Sequence, residues 1–327
     1  GARPRAVRLA GEPAPPGVEV EGRRDGRPCM TTTGEVLSRV DLTGRTVVIT
    51  GASTGLGLQT ARAMQAAGAE IVAAVRDLDK TRAAIDCETV QLELGDLRSA
   101  RAAAETIAGR HDRVDVLINN AGVMAPPLTR TAQGYEMQLG TNHLGHFVFT
   151  TEMADVFDHG TRIVNLSSRG HQLGGIRWDD PNYDDESAYG KWQAYGQSKT
   201  ANVLFTVEAE RRWGGPRGVH SFAVYPGGVV FTDLARHMTR ADFSEGGTLA
   251  NLEVTDVEHG AATTVWAATS PPELDGRGGL YLEDCRVADA MVDGVEGGYA
   301  PWAVDPPEQA ARLWEWSQAQ AALNLSD

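Results

Sequence analysis

Cysteine is scarce: Cys29, Cys87 and Cys285 are the only three, and none shares a C-x-x-C spacing. An odd, scattered set builds neither a disulfide framework nor a thiolate zinc site, so the thiols read as idle or buried. Positive charge is also short. Thirty Lys and Arg face 44 Asp and Glu, a formal charge of −14, and the basic residues are dispersed along the chain. Phosphate-backbone binding needs them gathered on one face, and anionic lipid repels surplus carboxylates, so neither nucleic acid nor a membrane surface is an expected partner. No run approaches the roughly 18 apolar residues of a membrane span, and the Arg-bearing N-terminal stretch lacks the apolar core of a secretory signal. The expected compartment is the cytoplasm. With 42% hydrophobic and 6% aromatic residues, a chain of 327 residues buries a sizeable core.

Residues 1–40 are rich in Gly, Pro and Arg without periodicity, a composition poorly suited to packing. They are expected to form a peripheral N-terminal extension, expression-derived or genuine, ahead of one domain over 41–327. There, short buried-looking runs at 46–50, 71–75, 89–94, 114–118, 161–166 and 219–224 alternate with helical stretches. That rhythm predicts an α/β fold with a doubly wound, Rossmann-like parallel sheet. A last strand is expected at 279–282 and a terminal amphipathic helix at 306–323, with Leu313, Trp314 and Leu323 among its apolar positions.

Directly after the first run stands TGASTGLG, opening a helix expected over 53–67 and closed by Gly68. Gly51, Gly55 and Gly57 let the main chain turn sharply and approach a pyrophosphate, which the amides of Ser53, Thr54 and Leu56 and the helix dipole would stabilise. The end of the second strand reads Ala74-Val75-Arg76-Asp77. No acid stands at the position that usually meets a ribose 2′-hydroxyl, while Arg76 offers a planar fork to a 2′-phosphate. NADP(H) is thereby favoured over NAD(H), although a shift of one residue would turn Asp77 to the ribose instead.

Tyr195 and Lys199 are i and i+4 neighbours on a helical stretch, so their polar ends converge. An adjacent ammonium favours the phenolate, and a Tyr195 pKa below the usual ~10 is expected. With these residues go Asp96-Leu97, Asn119-Asn120-Ala121-Gly122, Asn142 in TNHLGHF, Ser167-Ser168 and Pro226-Gly227, in that order. Over about residues 40–325 the sequence resembles the short-chain dehydrogenase/reductases. The 26 residues between Ser168 and Tyr195, together with TNHLGHF and ANVLF, make it most similar to the branch of retinol dehydrogenases, protochlorophyllide reductases and the WW-domain oxidoreductase.

The resemblance implies a proton relay. Tyr195 would exchange a proton with a carbonyl or alcohol oxygen, Ser168 rather than Ser167 would bind that oxygen, and Lys199 would hold the nicotinamide ribose. Asn142 would kink its helix and hold a water. It further implies cofactor contacts from Asp96 to the adenine, from Leu97, from Asn119, Ala121 and Gly122 beside the adenosine ribose, and from Pro226, Gly228 and Val229. Thr232 would anchor the carboxamide, although PGGVVFT is one residue longer than the usual pattern. The implied activity is an NADP(H)-dependent carbonyl reductase or alcohol dehydrogenase acting on a lipophilic substrate, and the implied assembly is a homo-oligomer. A second reading is a non-catalytic dinucleotide-binding regulator or scaffold, and a third is light-driven ring reduction. The insertion at about 169–190, with Trp178, Tyr183 and an acidic run, reads as a surface cover or pocket wall. Val229, Val230, Phe231, Leu234, Met238 and Phe243, within 228–260, form either a lid over the substrate or ordinary packing. His143 and His146 lack a carboxylate at ligand spacing, so no metal is expected.

Overall fold

A computed structural model describes residues 31–228, 232–243, 254–269, 271–293, 295–304 and 307–325. Among the described residues eight strands form one sheet: β1 (Thr46–Thr50), β2 (Glu70–Val75), β3 (Glu88–Gln91), β4 (Val114–Asn119), β5 (Phe157–Leu166), β6 (His220–Val224), β7 (Leu280–Glu283) and β8 (Arg286–Val287). Their spatial order is β3-β2-β1-β4-β5-β6-β7-β8, parallel through β7, with β8 antiparallel. The β-branched runs expected from the sequence supply the central strands because both sheet faces are covered and alternation is not needed. β3 ends at Gln91, short of the expected 94. Beyond Leu92, the Glu93 amide turns to Ser99 Oγ at 2.9 Å, so the chain leaves the sheet toward the next helix. Asp284 and Cys285 make the β7–β8 turn with positive φ (49° and 54°), a conformation unusual for residues other than Gly and Asn.

The helices of five residues or more among the described residues include α1 (Thr33–Leu37), α2 (Gly55–Ala66), α3 (Leu78–Ala84), α4 (Leu97–Ala108), α5 (Met137–Leu139 running on through Gly140–Gly145 and His146–Glu152), α6 (Lys191–Ala209), α7 (Val257–Ala268) and α8 (Pro307–Leu325). Asp77, Asp96 and Asp256 cap α3, α4 and α7 by accepting amide hydrogens of the first turn. One core lies between the sheet and the α4, α5 and α6 side, where Leu117, Leu144, Phe147, Phe205 and Trp314 are buried together. The other lies on the α2 and α7 side, with Ile49, Met64, Ile118, Phe222 and Val265. The result is one doubly wound domain. Among the described residues no helix is long and apolar enough to cross a membrane.

The stretch expected to be peripheral through residue 40 is docked in its described part. Thr32 and Glu35 close a capping box on α1, and Val36, Leu37 and Val40 pack on the second core. Residues 1–30 lie outside the described residues. The insertion after Ser168 is held down: Tyr183 is buried, Arg130 donates to the Tyr183 carbonyl at 2.8 Å, and Trp178 Nε1 donates to Gln309 Oε1 at 2.6 Å. Its acidic run is partly self-satisfied, since Asp180 accepts the amides of Asp184 and Asp185.

On α8, Leu313 and Trp314 are buried as expected, but Leu323 is 74% exposed and Leu325 is buried in its place. Trp314 meets Phe147, Phe205 and Trp213 at ring centroids of 5.0, 5.7 and 5.4 Å, and Arg212 lies over it. Trp314→Ala is therefore expected to cost ~3–5 kcal/mol in urea unfolding, and Leu323→Ala less than ~0.5 kcal/mol. Equal losses would contradict this account of α8 packing.

Candidate active site

The strand order reverses between β1 and β4, and there the loops at the C-terminal sheet edge part around a cavity of about 1070 Å³. The glycine loop forms one wall. Gly51 and Gly55 have φ of +71° and +57°, which glycine adopts without strain. A Cβ at Gly57 would lie 2.5 Å from Gly51 O and 2.4 Å from Asn120 Nδ2. Bare main chain at the N-terminus of the 12-residue α2 thus faces the cavity, and this cradle fits a dinucleotide diphosphate. Ser53 lines it, but its hydroxyl lies 2.7 Å from Thr81 Oγ1, which itself donates to Asp77 O at 2.8 Å. The hydrogen between the two hydroxyls therefore comes from Ser53, which leaves its main chain, not its O–H, for an anion.

Next along the wall stand Arg76 and Lys80. Arg76 is 73% exposed on its side chain, with Glu93 at 3.8 Å. The Asp77 carboxylate accepts the Lys80 amide at 2.9 Å as the α3 cap. Asp77 lines the cavity beside Arg76 as well, with one carboxylate oxygen taken by its own helix.

Tyr195, on the second turn of α6, is buried against Trp192, with ring centroids 6.2 Å apart. Ser168 lines the same wall, and its hydroxyl acts on the phenol to lower its pKa. Its neighbour Ser167 donates instead to the Lys199 carbonyl at 3.0 Å. Two adjacent hydroxyls on extended chain diverge, and here the second of the pair meets Tyr195. The electrostatics differ from expectation. Burial pushes Tyr195 up to about 12, only partly countered by the Ser168 hydroxyl. Burial brings Lys199 down to about 8, and its Nζ donates to Leu166 O at 2.9 Å while standing 5.6 Å from the Tyr195 ring centroid. Desolvation of the phenolate outweighs the distant ammonium, so the phenol is protonated at neutral pH.

The sequence profile described as short chain dehydrogenase matches residues 45–180. The chain is 36% identical to short-chain dehydrogenase/reductase prx1 of Penicillium roqueforti, over 95% of this chain and 94% of that protein. The chain belongs to the short-chain dehydrogenase/reductase family. Retinol dehydrogenase 13 of Homo sapiens is 39% identical over 89% of each chain. The crystal structure of an uncharacterized protein from Mycobacterium Paratuberculosis superposes with a TM-score of 0.69 at 34% identity, covering 87% of this chain and 96% of that one.

In this short-chain dehydrogenase/reductase several expected contacts lie away from the cavity. Asp96 is spent on the amide of Arg98 at 3.0 Å and on Gln133 Nε2 at 2.7 Å, and Leu97 is buried in the core. Leu92, Glu93 and Leu94 form the wall there. Asn119 donates to Thr150 Oγ1 and Asn165 Oδ1 inside the sheet, at 2.9 and 2.8 Å, and it is Asn120 that reaches the cavity with Ala121 and Gly122. Pro226, Gly228 and Thr232 line it, Thr232 against the glycine loop at Gly55. Val229, Val230 and Phe231 lie outside the described residues, as does the Phe243 side chain.

Asn142 stands behind the cavity in the widened turn Gly140–Gly145 of α5, a π-helical segment. Its carboxamide accepts the Val123 amide at 2.8 Å and donates to Val123 O and Ser198 Oγ, both at 2.9 Å. Its carbonyl faces His146 Nδ1 at 3.0 Å, and His146 Nε2 faces Thr50 Oγ1 at 2.9 Å. Thr50 Oγ1 accepts the amides of Asn120 and Ala121, so its one hydrogen goes to Nε2 and the ring proton sits on Nδ1. The Asn142 main-chain carbonyl thus accepts from an imidazole. Thr50 and His146 are the residues sequence reasoning missed, while Asn120, within the expected 119–122 turn, takes the place given to Asn119. The visible signal was the i, i+4 spacing of Asn142 and His146. His143 is spent separately, on Ser317 Oγ at 2.8 Å, and no metal-binding cluster occurs among the described residues.

Ser168→Ala is expected to lower turnover about 10²-fold in steady-state assays, and Ser167→Ala far less; the reverse order would exchange their assignments. Burial holds His143, His146 and His171 down to about 3, 4 and 4, from 6.5. As pH falls, the unfolded chain takes up these protons first, so stability is full above 6.5 and lost between there and about 3. Tm should drop across that window in calorimetry. A flat Tm would exclude neutral buried imidazoles.

Proposed function

We propose that the protein is an NADP(H)-dependent oxidoreductase transferring hydride between nicotinamide and a lipophilic aldehyde, ketone or secondary alcohol, with Asn142, Ser168, Tyr195 and Lys199 as its proton relay. The observation that carries this reading is that Tyr195 and Ser168 line one cavity wall together with Met124, Leu173, Trp192, Leu234 and Met238. An apolar wall around two hydroxyls selects a substrate with one polar atom and a greasy body. The kinship with retinol dehydrogenase 13, whose name denotes a lipophilic alcohol, supports the same class.

Tyr195 holds its proton at neutral pH and gives it to a carbonyl oxygen, which Ser168 Oγ holds in place. Lys199, cationic below about pH 8, offsets the phenolate left behind. Asn142 fixes the Gly122–Val123 turn and Ser198 behind them. The bound dinucleotide supplies the hydride chemistry, and the chain supplies orientation and protonation. Gly51, Thr54, Gly55, Leu56 and Gly57 would hold its diphosphate, and Asn120, Ala121 and Gly122 its adenosine side. Pro226, Gly228 and Thr232 would hold its nicotinamide side. Arg76 and Lys80 on the cavity wall, with one oxygen of Asp77 engaged in its cap, support a 2′-phosphate and hence NADP(H) over NAD(H).

The 228–260 segment acts as a lid in this reading. Asp242 accepts from Lys191 Nζ at 2.8 Å, Trp192 Nε1 at 2.9 Å and the Thr239 amide at 2.8 Å, which keeps Leu234 and Met238 packed beside Tyr195.

The test is NADPH and NADH oxidation with a panel of apolar ketones and aldehydes, beside Tyr195→Phe. The expected outcome is turnover that prefers NADPH and falls at least ~10²-fold in the variant. Tight cofactor binding with no turnover across the panel would select the regulator reading instead.

A further inference from the structure

The three-residue step from Ser168 to His171 carries more order than a loop requires. His171 is fully buried in the turn Arg169–Leu173, and its ring packs on Tyr281 with centroids 4.7 Å apart. Its Nε2 lies 2.9 Å from the Ala300 amide. An amide nitrogen only donates, so Nε2 is the unprotonated nitrogen and the ring hydrogen sits on Nδ1. Nδ1 is 2.6 Å from the Ser168 carbonyl, which therefore accepts from it. The same carbonyl accepts the His171 main-chain N–H at 3.0 Å, and Ser168 Oγ accepts the Gly170 amide at 3.0 Å. Gly170 leaves no slack: a Cβ there would lie 2.9 Å from the Tyr195 ring.

The other end of the residue reaches the substrate wall. The His171 carbonyl accepts Thr200 Oγ1 at 3.1 Å, beside Lys199 on α6, and Trp302 Nε1 at 3.0 Å. Through Ala300 and Trp302 it grips the C-terminal segment whose residues Val295, Glu296 and Gly297 line the cavity.

We infer that His171 is a positioning residue: its neutral imidazole orients Ser168 against Tyr195 through Nδ1–H and registers the C-terminal cavity wall to them through Nε2. The inference rests on the proposed oxidoreductase reading. Burial, which keeps the ring neutral, gives it the mixed donor and acceptor character that both bonds demand.

The two nitrogens separate by substitution. His171→Asn keeps a donor near the Nδ1 position and loses the acceptor toward Ala300, whereas His171→Gln reaches the Nε2 position and loses the donor toward Ser168. With an apolar ketone and NADPH, kcat should fall between about 10- and 100-fold in His171→Gln and His171→Phe. His171→Asn should keep kcat within about threefold and raise ketone KM instead, since only the wall is loosened. The dissociation constant for NADPH, read by fluorescence, should be unchanged in all three. A merely structural histidine would lower Tm in every variant without splitting kcat from KM. Loss of kcat in His171→Asn with its retention in His171→Gln would overturn the inference, as would unchanged kcat in both. If His171→Phe fails to fold, the Asn and Gln pair decides. A wild type that turns over no carbonyl counts against the oxidoreductase reading alone. In that case 15N-histidine NMR decides, because a His171 ring carrying its proton on Nε2 would sink the assignment and one carrying it on Nδ1 would uphold it.

Discussion

One hydroxyl holds the switch point of the sheet together. Thr50, the last residue of β1, accepts two amides from the turn after β4 and donates to His146 on α5. All three hydrogen-bonding capacities of that oxygen are used: two go to the Asn120–Gly122 turn and one to the helix bearing Asn142, and Thr50 itself leads directly into the glycine loop. Because the contact is fully buried, leaving any one arm unmade would strand a polar group without water, a larger penalty than the bond itself contributes. The phosphate cradle and the Asn142 turn are therefore held in one rigid arrangement.

Burial also decides the charges. Tyr195 and Lys199 are close in sequence and share a helix face, yet burial moves each toward its neutral form, the phenol upward and the amine downward. A water-excluded pair of this kind stores its proton on the oxygen. A cation or an anion brought near would have an outsized effect in that medium.

The parallel sheet was legible because strands covered on both faces must be continuous apolar runs, and the glycine cradle because only glycine meets its φ and contact demands. The convergence of Ser168 and Tyr195 was legible by resemblance. What escaped was pairing at long range and sidedness at short range. His146 and Thr50 lie 96 positions apart, and nothing local marks their meeting. Asn119 and Asn120 are adjacent, but the first is still strand and points into the sheet while the second has left it. Asp96 follows cap chemistry readable in principle, an acid just before an amphipathic helix, and that role claims its carboxylate. The Tyr195 pKa went the other way from expectation because sequence reveals a neighbouring charge but not the depth at which it sits.

The widened turn Gly140–Gly145 has a consequence for how this helix tolerates change. In a regular helix each deleted residue swings everything beyond it by about 100°, but a π segment already carries one residue in surplus. Shortening it by one would return α5 to ordinary pitch with Leu139 and Phe147 still facing their cores, while the Asn142 carbonyl and the imidazole parted company. A descendant could in this way keep the scaffold and shed the site in one step.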